Sequence, residues 1–206
     1  MNTVRRVRTL YAATTNRGKL AELQAAAAAQ LATWILEPAP SLATLPPCPE
    51  DGATFHENAR AKAAYYSGGL DALLFAEDSG LEVPALSGEP GVRSARYAGE
   101  SAGAAENNRK LLDTMRPLAA TQRAARFVCV IALARGGEVL ATFEGTVEGV
   151  IAHAPAGEGG FGYDPLFFLP EAGRTFAELA PAEKLRYSHR GRAFRRLAEA
   201  LQSGSF

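Results

Sequence analysis

The sequence predicts an α/β fold that includes an antiparallel pair of strands, and three observations carry that expectation. An apolar run, Leu73, Leu74, Phe75 and Ala76, stops at two adjacent carboxylates, Glu77 and Asp78, after which Ser79 and Gly80 are expected to turn the chain. Strand ends of this kind are where α/β proteins place metal-binding or proton-abstracting carboxylates. A strand-like segment over residues 4–13 runs through a polar Gly-Lys loop directly into an alanine-rich helix. Finally, residues 126–134 and 138–151 are rich in β-formers and are separated by Arg135-Gly136-Gly137, a hairpin signal.

Composition narrows the function classes. The chain has 206 residues, 47% hydrophobic and 21% charged, enough to bury a core as one domain. Its formal net charge is zero, so no bulk field draws it to nucleic acid or an anionic membrane. Any anion site must rest on a few local cations. Cys48 and Cys129 are far apart, with no zinc-type or disulfide-framework spacing. The N-terminal apolar run is too short for a signal peptide, and no run approaches the ~20 apolar residues of a membrane span. The expectation is a cytoplasmic protein.

In chain order, the first strand ends at Thr14, Thr15, Asn16, Arg17, Gly18 and Lys19, and a helix begins at Leu20 with Leu23 and Leu31 on its apolar side. A loop entering a helix N-terminus offers backbone N–H groups and one ammonium to an anion. It is not a Walker A loop, because Leu20 follows Lys19 where Ser or Thr would be required. Glu22 either orients Lys19 or is solvated. Residues 34–37 suit a second strand, and a Pro-rich connection then delivers Glu50, Asp51 and Gly52 to the next helix. Thr54 with Glu57 three residues on forms a capping box. Asn58 and Lys62 lie four apart, on one helical face suited to phosphate or to solvent.

Residues 103–115 read as a helix whose Asn107, Asn108, Arg109 and Lys110 face solvent. After the hairpin, a Gly-rich loop leads to Phe161, Gly162, Tyr163 and Asp164, followed by a short strand over residues 166–169. Glycines flanking an aromatic suit either stacking on a planar ligand or a tight turn around a core phenylalanine. The final segment carries Glu183, Lys184, Ser188, His189 and Arg190, with Ser188 capping an amphipathic C-terminal helix.

Five blocks, TTNRGK with Glu22, PEDGATFHENARAKA, AEDSGLEVPALSGEPGVRSARYAG, GGFGYDPLFFLP and AELAPAEKLRYSHRG, occur in an order that resembles the inosine/xanthosine triphosphate pyrophosphatases. The resemblance covers nearly the whole chain. It implies a two-lobed α/β fold with a long mixed central sheet, flanking helices and a nucleotide cleft between the lobes, all in one domain. It also implies a homodimer and Mg²⁺-dependent hydrolysis of ITP, dITP and XTP to the monophosphate and pyrophosphate. By position, Asp78 matches the general base and a metal ligand, and Glu50 a second metal ligand. Thr14 to Lys19 and Lys62 match triphosphate-binding positions, and Ser79 a substrate contact. Phe161 matches the ring stacked on the purine, beside Gly162, Tyr163 and Asp164, while Lys184, His189 and Arg190 match further substrate contacts near the base. The chain departs from the family pattern at Glu77, Asp51 and Leu185.

The chemistry agrees with the residues. Mg²⁺ takes one or two carboxylates and keeps waters, and lysines with loop N–H groups spread phosphate charge. Asp78 as base, or metal-assisted acidification of the attacking water, both fit. A donor such as Arg190 or a backbone N–H pairs with a 6-keto purine and clashes with a 6-amino group. A nucleotide-binding module without catalysis is disfavoured by the presence of both Glu50 and Asp78. A nucleic-acid binder is disfavoured by the lack of a basic face.

Overall fold

The computed structural model describes residues 7–206. Among these, seven strands form one mixed sheet in the order β2-β1-β3-β4-β5-β6-β7. β1 (Arg8–Ala12) pairs in parallel with both β2 (Trp34–Pro38) and β3 (Leu74–Glu82), and every later pairing is antiparallel. The expected first strand is therefore shorter at its described end, and its residues 4–6 lie outside the described residues. β4 (Ala124–Arg135) and β5 (Glu138–Ile151) form the long hairpin, turned by Gly136 and Gly137 at φ 58° and 88°. β-Branched and aromatic residues fill both arms, and two left-handed glycines match the twist of a two-residue turn. β6 (Phe167–Leu169) and the two-residue β7 (Arg174–Thr175) close the far edge.

Helices cover both faces. α1 (Arg17–Gln30) buries Leu23, Ala26 and Ala27 in a 3–4 spacing beside α5 (His189–Gln202), which contributes Phe194, Leu197 and Leu201. These pack on Phe75, Cys129, Ile131 and Leu133 of the sheet. α2 (Phe55–Ser67) packs Ala59, Ala63 and Tyr66 on the opposite face, against Leu74, Ala76, Val128 and Val130. A third apolar cluster, with Leu111 and Met115 of α3 (Ala104–Met115), Phe127, Phe167 and Phe176, lies toward the other end of the sheet. α4 (Pro181–Tyr187) leads into α5, which Ser188 caps by accepting from the Gly191 N–H at 3.1 Å. No helix among the described residues is long and apolar enough to cross a membrane.

The expectation at Ser79 and Gly80 is corrected here. The chain does not turn after Asp78; β3 runs through Glu77, Asp78, Ser79 and Gly80 to Glu82, paired with β4 throughout. Gly80 serves close approach, not a turn. A Cβ there would lie 2.4 Å from Ser94 Oγ and 2.6 Å from the Gly91 carbonyl oxygen, in a short helical segment packed along the strand. β1 meets β3 only at Leu74 and Phe75, so beyond Phe75 this edge of β3 has no neighbouring strand among the described residues. Ser94 takes part of that place, its Oγ accepting from the Leu81 N–H at 2.9 Å. The uncovered stretch lies at the carboxyl ends of β1 and β3, where α/β sheets place their ligands.

Gly80→Ala is expected to destabilise the protein by about 1–3 kcal/mol through overpacking, measured as a lower urea midpoint. A midpoint equal to wild type would show that the segment carrying Ser94 is not seated against β3 as described.

Candidate active site

Successive residues of a strand point to opposite faces, and β3 uses this to separate its two carboxylates. Asp78 shares the α2 face with Leu74 and Ala76, whereas Glu77 shares the α1/α5 face with Phe75. Each meets a different set of partners.

On the α2 face, Lys62 Nζ lies 3.2 Å from Asp78 Oδ1 and 3.2 Å from Glu50 Oε1. Asn58, 1% exposed, donates from Nδ2 to Asp78 Oδ2 at 3.0 Å and accepts from the Gly52 N–H at 2.8 Å. Neither the phosphate nor the solvent reading of Asn58 describes it: both ends of its amide are engaged within the protein. Burial raises the Asp78 carboxyl above its ordinary pKa, and Lys62 only partly offsets this. Burial would lower the Lys62 pKa, but Asp78 and Glu50 outweigh it and the ammonium is held charged above its ordinary value.

On the α1/α5 face the charges alternate. Lys19 Nζ is 2.8 Å from Glu77 Oε1, and Arg190 Nη2 is 3.6 Å from the same oxygen. Arg190 Nη1 and Lys184 Nζ each reach a Glu22 carboxylate oxygen at 2.5 Å, and Lys184 Nζ reaches Asp164 Oδ2 at 2.5 Å. Asp164 Oδ2 also accepts from the Phe161 N–H at 2.7 Å. Burial alone would raise the Glu77 pKa, but Arg190 and Lys19 override it and keep the carboxyl well below the usual range. Burial raises the Asp164 carboxyl, with Lys184 opposing. His189 is held well below the ordinary histidine pKa, by burial first and then by Arg190, so its imidazole is neutral. It stacks on Phe127 at 4.6 Å between ring centroids.

This ladder borders a cleft of about 300 Å³. Its lining includes Asn16, Lys19, Ser79, Phe161, Gly162, Tyr163, Asp164, His189 and Arg190. The Phe161 ring lies over Gly18, where a Cβ would approach ring carbon Cδ1 to 2.6 Å. Lys184 Nζ and the Arg190 guanidinium sit 4.8 and 5.4 Å from its centroid. The cleft therefore has one half-buried aromatic wall backed by cations. Arg190 Nη2 donates to Ser79 Oγ at 3.0 Å, while Arg190 Nε and His189 Nδ1 are buried with no hydrogen-bond partner among the described residues.

The structure thus gathers most of the expected residues at the cleft and places Glu50, Lys62 and Asp78 on the other face of the same strand. Residues 14–16 form the loop after β1, but Arg17, Gly18 and Lys19 belong to the first turn of α1, not to the loop. Asn16 is the cap that starts the helix early, its Oδ1 accepting from the Lys19 N–H at 3.0 Å. Tyr163 is buried, and its hydroxyl donates to the Ser94 carbonyl at 2.8 Å, so it braces the cleft wall.

Several participants differ from what the sequence suggests. Glu22 neither orients Lys19 nor is solvated; it bridges Lys184 and Arg190 across the chain. Its position one turn after Lys19 is the only local signal. Asn107 is buried, accepting from the Ala98 N–H and donating to the Ala95 carbonyl, and Asn108 donates to the Gly162 carbonyl at 3.0 Å. Lys110 reaches the Tyr97 carbonyl at 2.5 Å. The solvent-facing expectation fails for Asn107, because the segment through Arg96 and Tyr97 covers that side of α3, and for the half-buried Asn108, which turns to the loop at Gly162; Arg109 and Lys110 are exposed as expected.

The Ham1 family model matches residues 10–200. The chain belongs to the Ham1 family. A curated family member from Thermus thermophilus, named dITP/XTP pyrophosphatase, is 52% identical over 192 residues, covering 93% of this chain and 91% of its own. One of the same name from Acidobacterium capsulatum is 50% identical over 205 residues, covering 94% and 98%. The solved structure of a HAM1 protein from Coxiella burnetii superposes with a TM-score of 0.85 at 38% identity, over 96% of this chain and all of that one. A Mycobacterium abscessus structure, described as a nucleoside-triphosphatase / dITP/XTP pyrophosphatase, gives 0.71 at 39% identity, over 92% and 98%. The resemblance drawn from the five blocks is borne out by these family members.

Glu77 is the pivot of the ladder, with a side chain 1% exposed. Glu77→Ala leaves Lys19 and Arg190 facing a void, and loss of one member of a buried ionic set costs about 3–5 kcal/mol. Urea unfolding should register that loss, and a change below about 1 kcal/mol would mean that Glu77 is not the group that balances these cations.

Proposed function

We propose that this chain is a nucleoside-triphosphate pyrophosphohydrolase that cleaves the α–β phosphoanhydride bond of deaminated purine nucleotides, ITP, dITP and XTP, to the monophosphate and pyrophosphate. One observation carries the reading: β3 joins an aromatic, cation-backed cleft on one face to a carboxylate–lysine cluster on the other. A planar base and a polyphosphate need these two environments side by side. The names borne by relatives about 50% identical over most of the chain support the same substrate class.

The base stacks on Phe161, where stacking contributes about 1–3 kcal/mol per base. Arg190 Nε and His189 Nδ1, buried and without partners among the described residues, are polar atoms of the kind that discriminate a keto from an amino edge. Lys19, at the α1 N-terminus, and Lys62 offset phosphate charge, which is where most phosphoryl-transfer catalysis lies. Lys184 and Arg190 lie close behind Phe161 and so hold the stacking ring in place as well as the charge. Asp78, fixed by Asn58 and Lys62, is the group placed to accept the proton of the attacking water.

The residues fit a hard divalent cation. Glu50 and Asp78 share a single ammonium, so the cluster keeps an excess negative charge, and two carboxylates meet what Mg²⁺ asks of a protein. Among the described residues no group of three or more His, Cys, Asp or Glu side chains could hold a metal ion by itself, so water and substrate oxygens would have to complete the coordination of an ion at this pair. Glu50 and Asp78 would hold Mg²⁺, which when bound would supply neutralisation of phosphate charge and Lewis-acid assistance to the water. We further assign the chain to the cytoplasm as a homodimeric nucleotide-pool enzyme, its single domain comprising two lobes that flank the cleft.

The test is release of pyrophosphate from ITP, XTP, ATP and GTP, with Mg²⁺ and with EDTA. Fast release from ITP and XTP that EDTA abolishes, with little from ATP or GTP, is expected. Orthophosphate as the first product, or turnover indifferent to the base, would overturn the proposal.

A further inference from the structure

We infer that Asn58 is a positioning residue that sets the separation of the two metal-site carboxylates, an inference that rests on Glu50 and Asp78 holding the divalent cation. Asn58 does not border the cleft, and with 1% exposure it has no face to offer a substrate. Its amide is divided between the two halves of the cluster. Nδ2 fixes Asp78 Oδ2 at 3.0 Å, and Oδ1 takes the N–H of Gly52 at 2.8 Å, two residues after Glu50. The bond to Gly52 ties the backbone of the irregular segment bearing Glu50 to the rigid first turns of α2. A second strut, Arg96 Nη2, donates to the Glu50 carbonyl at 3.0 Å.

Two features show that this contact is built to a fixed length. A Cβ on Gly52 would lie 2.6 Å from Asn58 Oδ1 and 2.8 Å from Glu57 Cβ, so any side chain at position 52 pushes the Glu50 segment off the amide. Asn58 is itself placed by a capped helix start, Thr54 Oγ1 accepting from the Glu57 N–H at 3.1 Å. Only a side chain that donates at one end and accepts at the other can bind both a carboxylate and a backbone N–H. Asp in its place accepts only, and a hydroxyl is too short to span both partners. Groups that orient metal-ligating carboxylates typically change metal affinity or activity about 10- to 100-fold when removed.

The experiment measures Mn²⁺ uptake by electron paramagnetic resonance, with the protein saturated by inosine α,β-imidotriphosphate. Wild type, Asn58→Ala, Gly52→Ala and Asp78→Asn are compared, and circular dichroism confirms the fold of each. Asn58→Ala and Gly52→Ala are both expected to weaken Mn²⁺ binding about 10-fold or more, with nucleotide affinity in the absence of metal unchanged. Because Gly52→Ala alters only the loop side of the contact, it reports even where Asn58→Ala does not fold. Wild-type Mn²⁺ affinity in Gly52→Ala, or in folded Asn58→Ala, while Asp78→Asn loses binding, overturns the positioning role. Asp78→Asn that binds Mn²⁺ as tightly as wild type, or wild type that takes up none, overturns the carboxylate site itself.

Discussion

The extended backbone of β3 at Glu77 and Asp78 is the constraint on which the site depends. A strand can direct two neighbouring carboxylates to opposite faces and nowhere else, so one sheet position supplies charge to two compartments. Asp78 anchors a cluster of excess negative charge under α2, and Glu77 anchors a balanced ladder under α1 and α5. Among the described residues, the edge of β3 on the β1 side is free of strand pairing here because β1 ends at Phe75's level, which opens the space both compartments border. A turn at Ser79, or a one-residue register slip against β4, would exchange the two faces and dissolve both.

Buried ions are tolerated only when paired, and the two compartments solve this differently. On the α1/α5 face, Lys19, Glu77, Arg190, Glu22, Lys184 and Asp164 alternate in sign, three cations against three acids. The ladder ends at the Phe161 N–H, so its product is position: the aromatic wall is tied, through successive charges, to the central strand. Such a set contributes geometry more than net stability, since most of its Coulomb energy offsets desolvation. On the α2 face the imbalance is the point, because a cluster with two carboxylates and one ammonium is suited to a further cation.

The fold class, the β4–β5 hairpin, the caps at Thr54 and Ser188, and most of the helices are legible in the sequence, because each depends on local spacing. So are several side chains that border the cleft, such as Lys19, Phe161, Asp164 and Arg190, through ordered blocks that resemble a family. What stays hidden depends on contacts distant in sequence. Ser79-Gly80 reads as a turn, since nothing near it shows that Ser94 packs where a side chain would stand. Glu22 looks like a helix-surface acid until Lys184 and Arg190, 162 and 168 residues away, are brought to it. Asn58 looks like a solvated or phosphate-facing amide until Asp78 appears opposite. Polar residues in amphipathic helices carry no local mark of whether they meet water or a buried partner, and Asn107 and Asn108 mislead for the same reason.

One strand, on this account, divides base recognition from hydrolysis, with the nucleotide passing between its two faces. A crystal structure of Asp78→Asn with ITP and Mg²⁺ tests this directly. The expected result is hypoxanthine against Phe161 on the Glu77 face, and a triphosphate leading past Lys19 and the start of α1 toward Lys62, Glu50 and position 78. A triphosphate lying wholly within the Glu77-face cleft, remote from Lys62 and Glu50, would contradict it.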